Sequence, residues 1–306
     1  MNNSGAKIRI FGRGACRGGL FLMFFDIAAA FVFLCKRKVL SLPDKGMTSR
    51  PKMKIALLQT DIAWADPQAN TAQAERLMNR CEGADLYVLP EMFATGFCMQ
   101  PQGVAERPDG HSLTWMKRCA RERNCAVAGS LALEENGRCY NRFCFVLPDG
   151  SCRYYDKRHL FACGGEHECY TAGRERVVVH FRGMRILLLV CYDLRFPVWA
   201  RNRGDYDMML CVANWPVPRI EVWNTLLRAR AIENQCYVAG VNRVGADPAC
   251  RYNGGTVLID ARGREVAACR QGEADAVTAD VSVEELEAFR RKFPVLPDGD
   301  AFRIDV

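Results

Sequence analysis

Residues 185–197 read RILLLVCYDLRFP, an apolar run that stops at once on Cys191, Tyr192 and Asp193. A run of Ile, Leu and Val without polar alternation describes a strand buried on both faces. Two further apolar stretches end in the same way. LYVLP at 86–90 delivers Glu91, and RYYD at 153–156 delivers Lys157. In layered α/β architectures, sites collect at the carboxyl ends of strands. Taken singly, each residue is ordinary: a Cys is most often a core thiol, and a Glu or Lys after a strand is commonly solvated. Taken together, the three describe nucleophilic catalysis without histidine. A cysteine nucleophile needs a base to take its proton and a partner for developing negative charge.

The surrounding pattern fits such a fold. Strand-like runs at 54–60, 85–89, 126–133, 141–147, 177–181, 185–190, 207–212 and 237–242 are separated by helical or turn segments. Helices are expected at 67–80, capped by Asp66 with Ala72, Leu77 and Met78 on its buried face, at 112–123, at 220–234 and at 282–292, capped by Ser282. Asn136-Gly137 supplies a hairpin turn, and Arg182-Gly183 joins a second pair. Further strands are expected at 255–260 and 265–269. Neither an internal sequence repeat nor a low-complexity linker divides this body. Buried strands alternating with amphipathic helices make an α/β layered domain.

The chain has 306 residues, of which 49% are hydrophobic and 25% charged, the composition of an ordinary globular protein. Its formal charge of +7 is unevenly placed. Residues 1–52 hold ten Lys+Arg against two Asp+Glu, which leaves 32 against 33 for the rest. The body is neutral, so no basic face is available for nucleic acid. Of sixteen Cys, many lie inside apolar runs, such as Cys144, Cys211 and Cys236. Buried free Cys behaves as a small hydrophobe, which points to reduced thiols and a cytoplasmic protein. The four His match no zinc spacing, and neither metal nor cofactor is expected.

Residues 1–52 form a basic N-terminal extension ahead of a domain at 53–306. Its apolar run, Leu20 to Cys35, carries Asp26 and has basic flanks on both sides. A span needs about 20 apolar residues, and a central Asp costs about 2.5–3.5 kcal/mol. Two readings stay open: a weak membrane anchor, or an upstream segment (residues 1–46) that the native protein does not carry. The Met47 and Met53 that precede KIALLQT favour the second.

From Met53 to the C-terminal region the chain resembles the nitrilase (carbon–nitrogen hydrolase) superfamily. The motifs are KIALLQTDIAW (54–64), LPEMFATGF (89–97), YYDKRHLF (154–161), VCYDLRFP (190–197), ANWP (213–216) and LLRARAIENQCYVAGVNRVG (226–245). The resemblance implies a four-layer α-β-β-α sandwich, usually dimeric or larger. It implies Glu91 as general base, Lys157 as stabiliser of the transition state and Cys191 as nucleophile. Glu166 in GGEHECY falls where many members place a second glutamate, with Glu168 as a near neighbour. The branch it resembles most is the omega-amidases, which implies a small amide substrate of the 2-oxoglutaramate type. N-carbamoyl amidohydrolases and nitrilases are the alternatives within the superfamily, and an interaction scaffold is the non-enzymatic one. The Tyr192 N–H is a second oxyanion donor on this reading. Arg195 is either a clamp for a substrate carboxylate or an ion-pair partner of Asp193 or of a neighbouring strand end. Trp215 walls the pocket, and His159 is structural.

Overall fold

Strand β1 (Met53–Gln59) is buried almost throughout, and its side chains alternate between two different cores. Ile55 and Leu57 face one apolar cluster, whereas Ala56 and Leu58 face another. A strand with two apolar faces needs a cover on each side, and this requirement builds the layers. The computed structural model describes residues 52–305. The N-terminal extension, with its apolar run and the question of residues 1–46, lies outside the described residues.

After β1 come helix α1 (Pro67–Arg80), β2 (Leu86–Val88), α2 (His111–Arg123), β3 (Ala126–Glu135), β4 (Arg138–Val146) and β5 (Cys152–Asp156). A short α3 (Glu166–Cys169) leads to β6 (Val178–Phe181) and β7 (Met184–Val190). Next are α4 (Pro197–Ala200), β8 (Met208–Ala213), α5 (Ile220–Glu233) and β9 (Tyr237–Asn242). A small hairpin, β10 (Val244–Ala246) and β11 (Arg251–Asn253), precedes β12 (Val257–Ile259), β13 (Glu265–Ala268), β14 (Asp275–Val281) and α6 (Val283–Lys292).

The strands form two six-stranded sheets, ordered β14-β1-β2-β3-β4-β5 and β6-β7-β8-β9-β12-β13. In each, three parallel strands stand in the middle and antiparallel strands flank them. The sequence shows no repeat, yet the two sheets repeat one polarity pattern, and β2 and β8 hold equivalent central places. The sheets pack face to face through Ile55, Leu57, Val88, Phe143 and Phe145 on one side and the β7–β9 residues on the other. Helices α1 and α2 cover the outer face of the first sheet with Leu77, Met78, Leu113 and Met116. Helix α5 covers the second with Trp223, Leu227 and Ala231. Its approach depends on Gly240 of β9, where a Cβ would stand 2.4 Å from a Leu227 methyl carbon. The architecture is the expected four-layer α-β-β-α sandwich.

Local chemistry sets the ends of these elements. Asp66 caps α1 by accepting the Ala69 N–H at 3.0 Å, and Ser282 caps α6 by accepting that of Glu285 at 3.2 Å. Asn136-Gly137 and Arg182-Gly183 all have positive φ, as tight two-residue hairpins require. One expectation needs correction. Ala72 faces solvent, and the buried stripe of α1 runs through Asn70, Thr71, Ala74, Leu77 and Met78. Asn70 is drawn inward because its amide bonds the Ala63 N–H, the Ala63 carbonyl and the Ala94 carbonyl, each at 2.7 Å.

Candidate active site

The three strand-end residues converge. Glu91 lies just beyond β2, Lys157 directly follows β5, and Cys191 directly follows β7. Cys191 has φ +47°, a left-handed conformation that a non-glycine residue adopts only under constraint. The chain turns there from strand into a 3₁₀ turn, Cys191–Arg195, which sets the thiol at the sheet end. Met92, the residue after Glu91, has the same hand, with φ +42°.

Lys157 is buried between two carboxylates. Its Nζ is 2.9 Å from Glu91 Oε1 and 2.9 Å from Glu166 Oε2. Of the two neighbouring glutamates, Glu166 is the one buried beside Lys157, and Glu168 stays exposed. The Phe161 N–H donates to Glu166 Oε2 at 2.6 Å. Burial lowers the Lys157 ammonium, but Glu166, Glu91 and Cys191 outweigh it and hold the group well above its ordinary range. The lysine is therefore a fixed cation. Burial pushes the Cys191 thiol well up and Glu91 adds to this, while Lys157 opposes it. These effects favour the thiol over the thiolate at Cys191.

Asp193 ties the nucleophile turn to the lysine strand. Its Oδ2 accepts the Val190 N–H at 3.0 Å and the Tyr155 hydroxyl at 2.7 Å. Its Oδ1 accepts the His159 backbone N–H at 2.9 Å and lies 2.8 Å from His159 Nδ1. The His159 ring stacks on Phe196 at 3.8 Å and does not line the cavity of the thiol. These bonds occupy Asp193. Among the described residues Arg195 has no carboxylate partner, so the alternative of an ion pair with Asp193 is not realised. Arg195 instead lies over the Trp215 ring, 5.1 Å from its centroid.

A cavity of about 270 Å³ opens on Cys191, Glu91 and Lys157. Tyr192, Arg195 and Trp215 line it, as do Phe97, Phe161, Asn214, Arg219 and Tyr252. The Tyr192 N–H lies in the first turn of the 3₁₀ segment, where N–H groups have no acceptor within the helix. Trp215 is pinned by its indole N–H on the Arg219 carbonyl at 2.8 Å. Arg219 reaches over Phe161 at 5.5 Å.

Sequence reasoning missed Asn141, Asn214 and Arg219. Asn214 follows β8, donates its N–H to Glu91 Oε2 at 2.8 Å and its side-chain amide to the Glu91 carbonyl at 2.8 Å. Asn141 sits within β4 and contacts both glutamates. A signal for Asn141 existed in an uncharged polar residue ahead of the apolar run FCFV of the same strand.

The chain is similar to known proteins along most of its length. The carbon-nitrogen hydrolase family model matches residues 54–291. Omega-amidase YafV of Escherichia coli (strain K12) is 47% identical over 255 residues, covering 83% of this chain and 99% of that protein. The 2-oxoglutaramate amidase of Bacillus subtilis (strain 168) is 35% identical over 253 residues, covering 81% and 97%. The crystal structure of a CN-hydrolase superfamily protein from Xanthomonas campestris, with an arsenic adduct in its active site, superposes with a TM-score of 0.81. That protein is 42% identical, and the match covers 83% of this chain and 100% of that one. With Glu91, Lys157 and Cys191 brought together at three strand ends of an α-β-β-α sandwich, this chain belongs to the carbon-nitrogen hydrolase family.

Proposed function

We propose that the enzyme hydrolyses the terminal amide of small omega-amido carboxylic acids, such as 2-oxoglutaramate, to the acid and ammonia. One observation carries this reading. The cavity that holds Cys191, Glu91 and Lys157 also holds Arg195, a guanidinium with no carboxylate partner among the described residues. An amide carbonyl at the thiol leaves the distal carboxylate of the substrate for Arg195, whose planar donors suit a carboxylate. Arg219 at the same cavity adds a second positive charge. The omega-amidase and 2-oxoglutaramate amidase relatives agree with this substrate class.

The chemistry follows from the positions. Glu91 takes the Cys191 proton as sulfur attacks the amide carbon. Lys157 and the Tyr192 N–H hold the oxyanion. Glu91 returns the proton to nitrogen, the C–N bond breaks, and ammonia leaves a thioester on Cys191. Water then attacks the thioester with Glu91 again as base, the C–S bond breaks, and the carboxylic acid departs with the thiol restored. Glu166 shares the lysine with Glu91 and keeps it charged, and Trp215 forms the wall beside the clamp.

The working unit on this reading is the domain at 53–306, acting in the cytoplasm as a homodimer. Ammonia release from 2-oxoglutaramate, succinamate, glutamine, butyramide, a carbamoyl amino acid and a nitrile tests the substrate class. Fastest turnover on the first two is expected, and preference for the carbamoyl compound or the nitrile would replace the omega-amide reading.

A further inference from the structure

We propose that Asn141 is a positioning residue that selects which oxygen of Glu91 acts as the base. The inference rests on the reading of Glu91 as the proton acceptor. A carboxylate offers about two acceptor sites per oxygen. Both sites of Glu91 Oε1 are used, by Lys157 Nζ at 2.9 Å and by Asn141 Nδ2 at 2.7 Å. Oε2 accepts one bond, from the Asn214 N–H at 2.8 Å. The open acceptor position among the described residues is therefore on Oε2, and the proton from Cys191, and later from water, goes there.

Asn141 is fully buried, and its amide has no freedom to turn. The Ser130 hydroxyl accepts the Met92 N–H at 2.9 Å, so its own hydrogen goes to Asn141 Oδ1, also at 2.9 Å. This leaves both Nδ2 hydrogens for the anions, Glu91 Oε1 at 2.7 Å and Glu166 Oε1 at 3.1 Å. The Asn141 carbonyl accepts the Lys157 N–H at 3.0 Å. One residue thus fixes all three members of the buried ion cluster without lining the cavity. Hydrogen bonds to charged groups are the strong ones, and donors on a carboxylate favour its ionised form. The ionisable groups that face Glu91 are Lys157 beyond β5, Glu166 on α3, Cys191 beyond β7 and Cys211 on β8. Asn141 is the uncharged side-chain donor in that set.

The test is the pH profile of kcat/KM for Asn141→Leu, Ser130→Ala and Glu91→Gln in the full chain. Asn141→Leu should lower kcat about 10²-fold with KM within about threefold, since the residue does not touch the cavity. Its acidic limb should move to higher pH, because a donor to the carboxylate is gone. Ser130→Ala should move the limb in the same direction by less, and it carries the test if Asn141→Leu fails to fold. An acidic limb that stays in place in both folded variants overturns the proposal, as does Asn141→Leu activity within threefold of wild type. Glu91→Gln separates the two levels. If it remains active, the base assignment fails. If it is inactive while Asn141→Leu is normal, the role of Asn141 alone fails.

Discussion

Glu91 and Asn214 bind each other twice. The Asn214 N–H donates to the Glu91 carboxylate, and the Asn214 side chain donates to the Glu91 carbonyl, both at 2.8 Å. Glu91 follows β2 and Asn214 follows β8, the central strands of the two sheets. The repeated polarity pattern therefore has a chemical consequence. Equivalent strand ends meet, one supplying the carboxylate and the other the amide that aims it. Asn214→Ala should cost about 1–3 kcal/mol, because it leaves a buried carbonyl without its donor. Urea unfolding checks this. Asn214→Asp should be less active than Asn214→Ala, because it sets a second anion against Glu91. Equal activity in the two variants would count against the electrostatic account.

Lys157→Met should destabilise the fold by about 3–5 kcal/mol, because Glu91 and Glu166 then face each other without their shared cation. Activity should fall by several orders of magnitude. Combining it with Cys191→Ala should cost little more than either change alone, since groups that act as a unit are not additive. Denaturation curves and single and double mutant kinetics give both answers.

Arg195→Lys should raise KM for 2-oxoglutaramate and leave kcat within a few fold. Lysine keeps the charge and loses the planar pair of donors. Butyramide, which has no carboxylate, should be turned over equally by both proteins. A parallel loss on butyramide would assign Arg195 to the packing of Trp215, over which it lies.

Stability should fall on the alkaline side through the buried thiols. Burial pushes Cys119 up to about 11, and Cys125, Cys236 and Cys269 up to about 12. A raised folded-state value means that stability is intact below the unfolded thiol value, near 8.5, and is lost as pH rises toward the folded value. Each thiol contributes a decline on the order of 1 kcal/mol per pH unit in that window. Tm measured from pH 8 to 11 should drop steadily, and Cys125→Ala should lessen the slope whatever its effect on Tm at pH 7. An unchanged slope would contradict the assignment.

The sandwich was legible because its strands announce themselves. β7 and β8 are apolar on both faces, and the Asn136-Gly137 and Arg182-Gly183 turns mark the β3–β4 and β6–β7 hairpins. Glu91 and Cys191 stood out because each ends an apolar run, whereas Lys157 follows RYYD, which carries Arg153 and Asp156, and was marked by the resemblance of YYDKRHLF. Strand β14 was not. Its sequence DAVTADV alternates weakly, and it is fixed by antiparallel pairing with β1, more than two hundred residues away in sequence. The stripe of α1 was misplaced for a related reason. Asn70 is polar and is buried only because three backbone groups meet it, two from Ala63 in the loop before the helix and one from Ala94. Asn141 and Asn214 share this character: the role of Asn141 exists only once β2, β3, β5 and α3 bring their residues to it, and that of Asn214 only once the two sheets meet.

The most direct measurement of the central claim is rapid acid quenching during turnover of 2-oxoglutaramate, followed by peptide mass mapping of the enzyme. The account predicts a fraction of the chain carrying the acyl group as a thioester, on the peptide containing Cys191, and none in Cys191→Ala. Steady turnover with acyl modification found on another residue, or ammonia release by Cys191→Ala within tenfold of wild type, would contradict it.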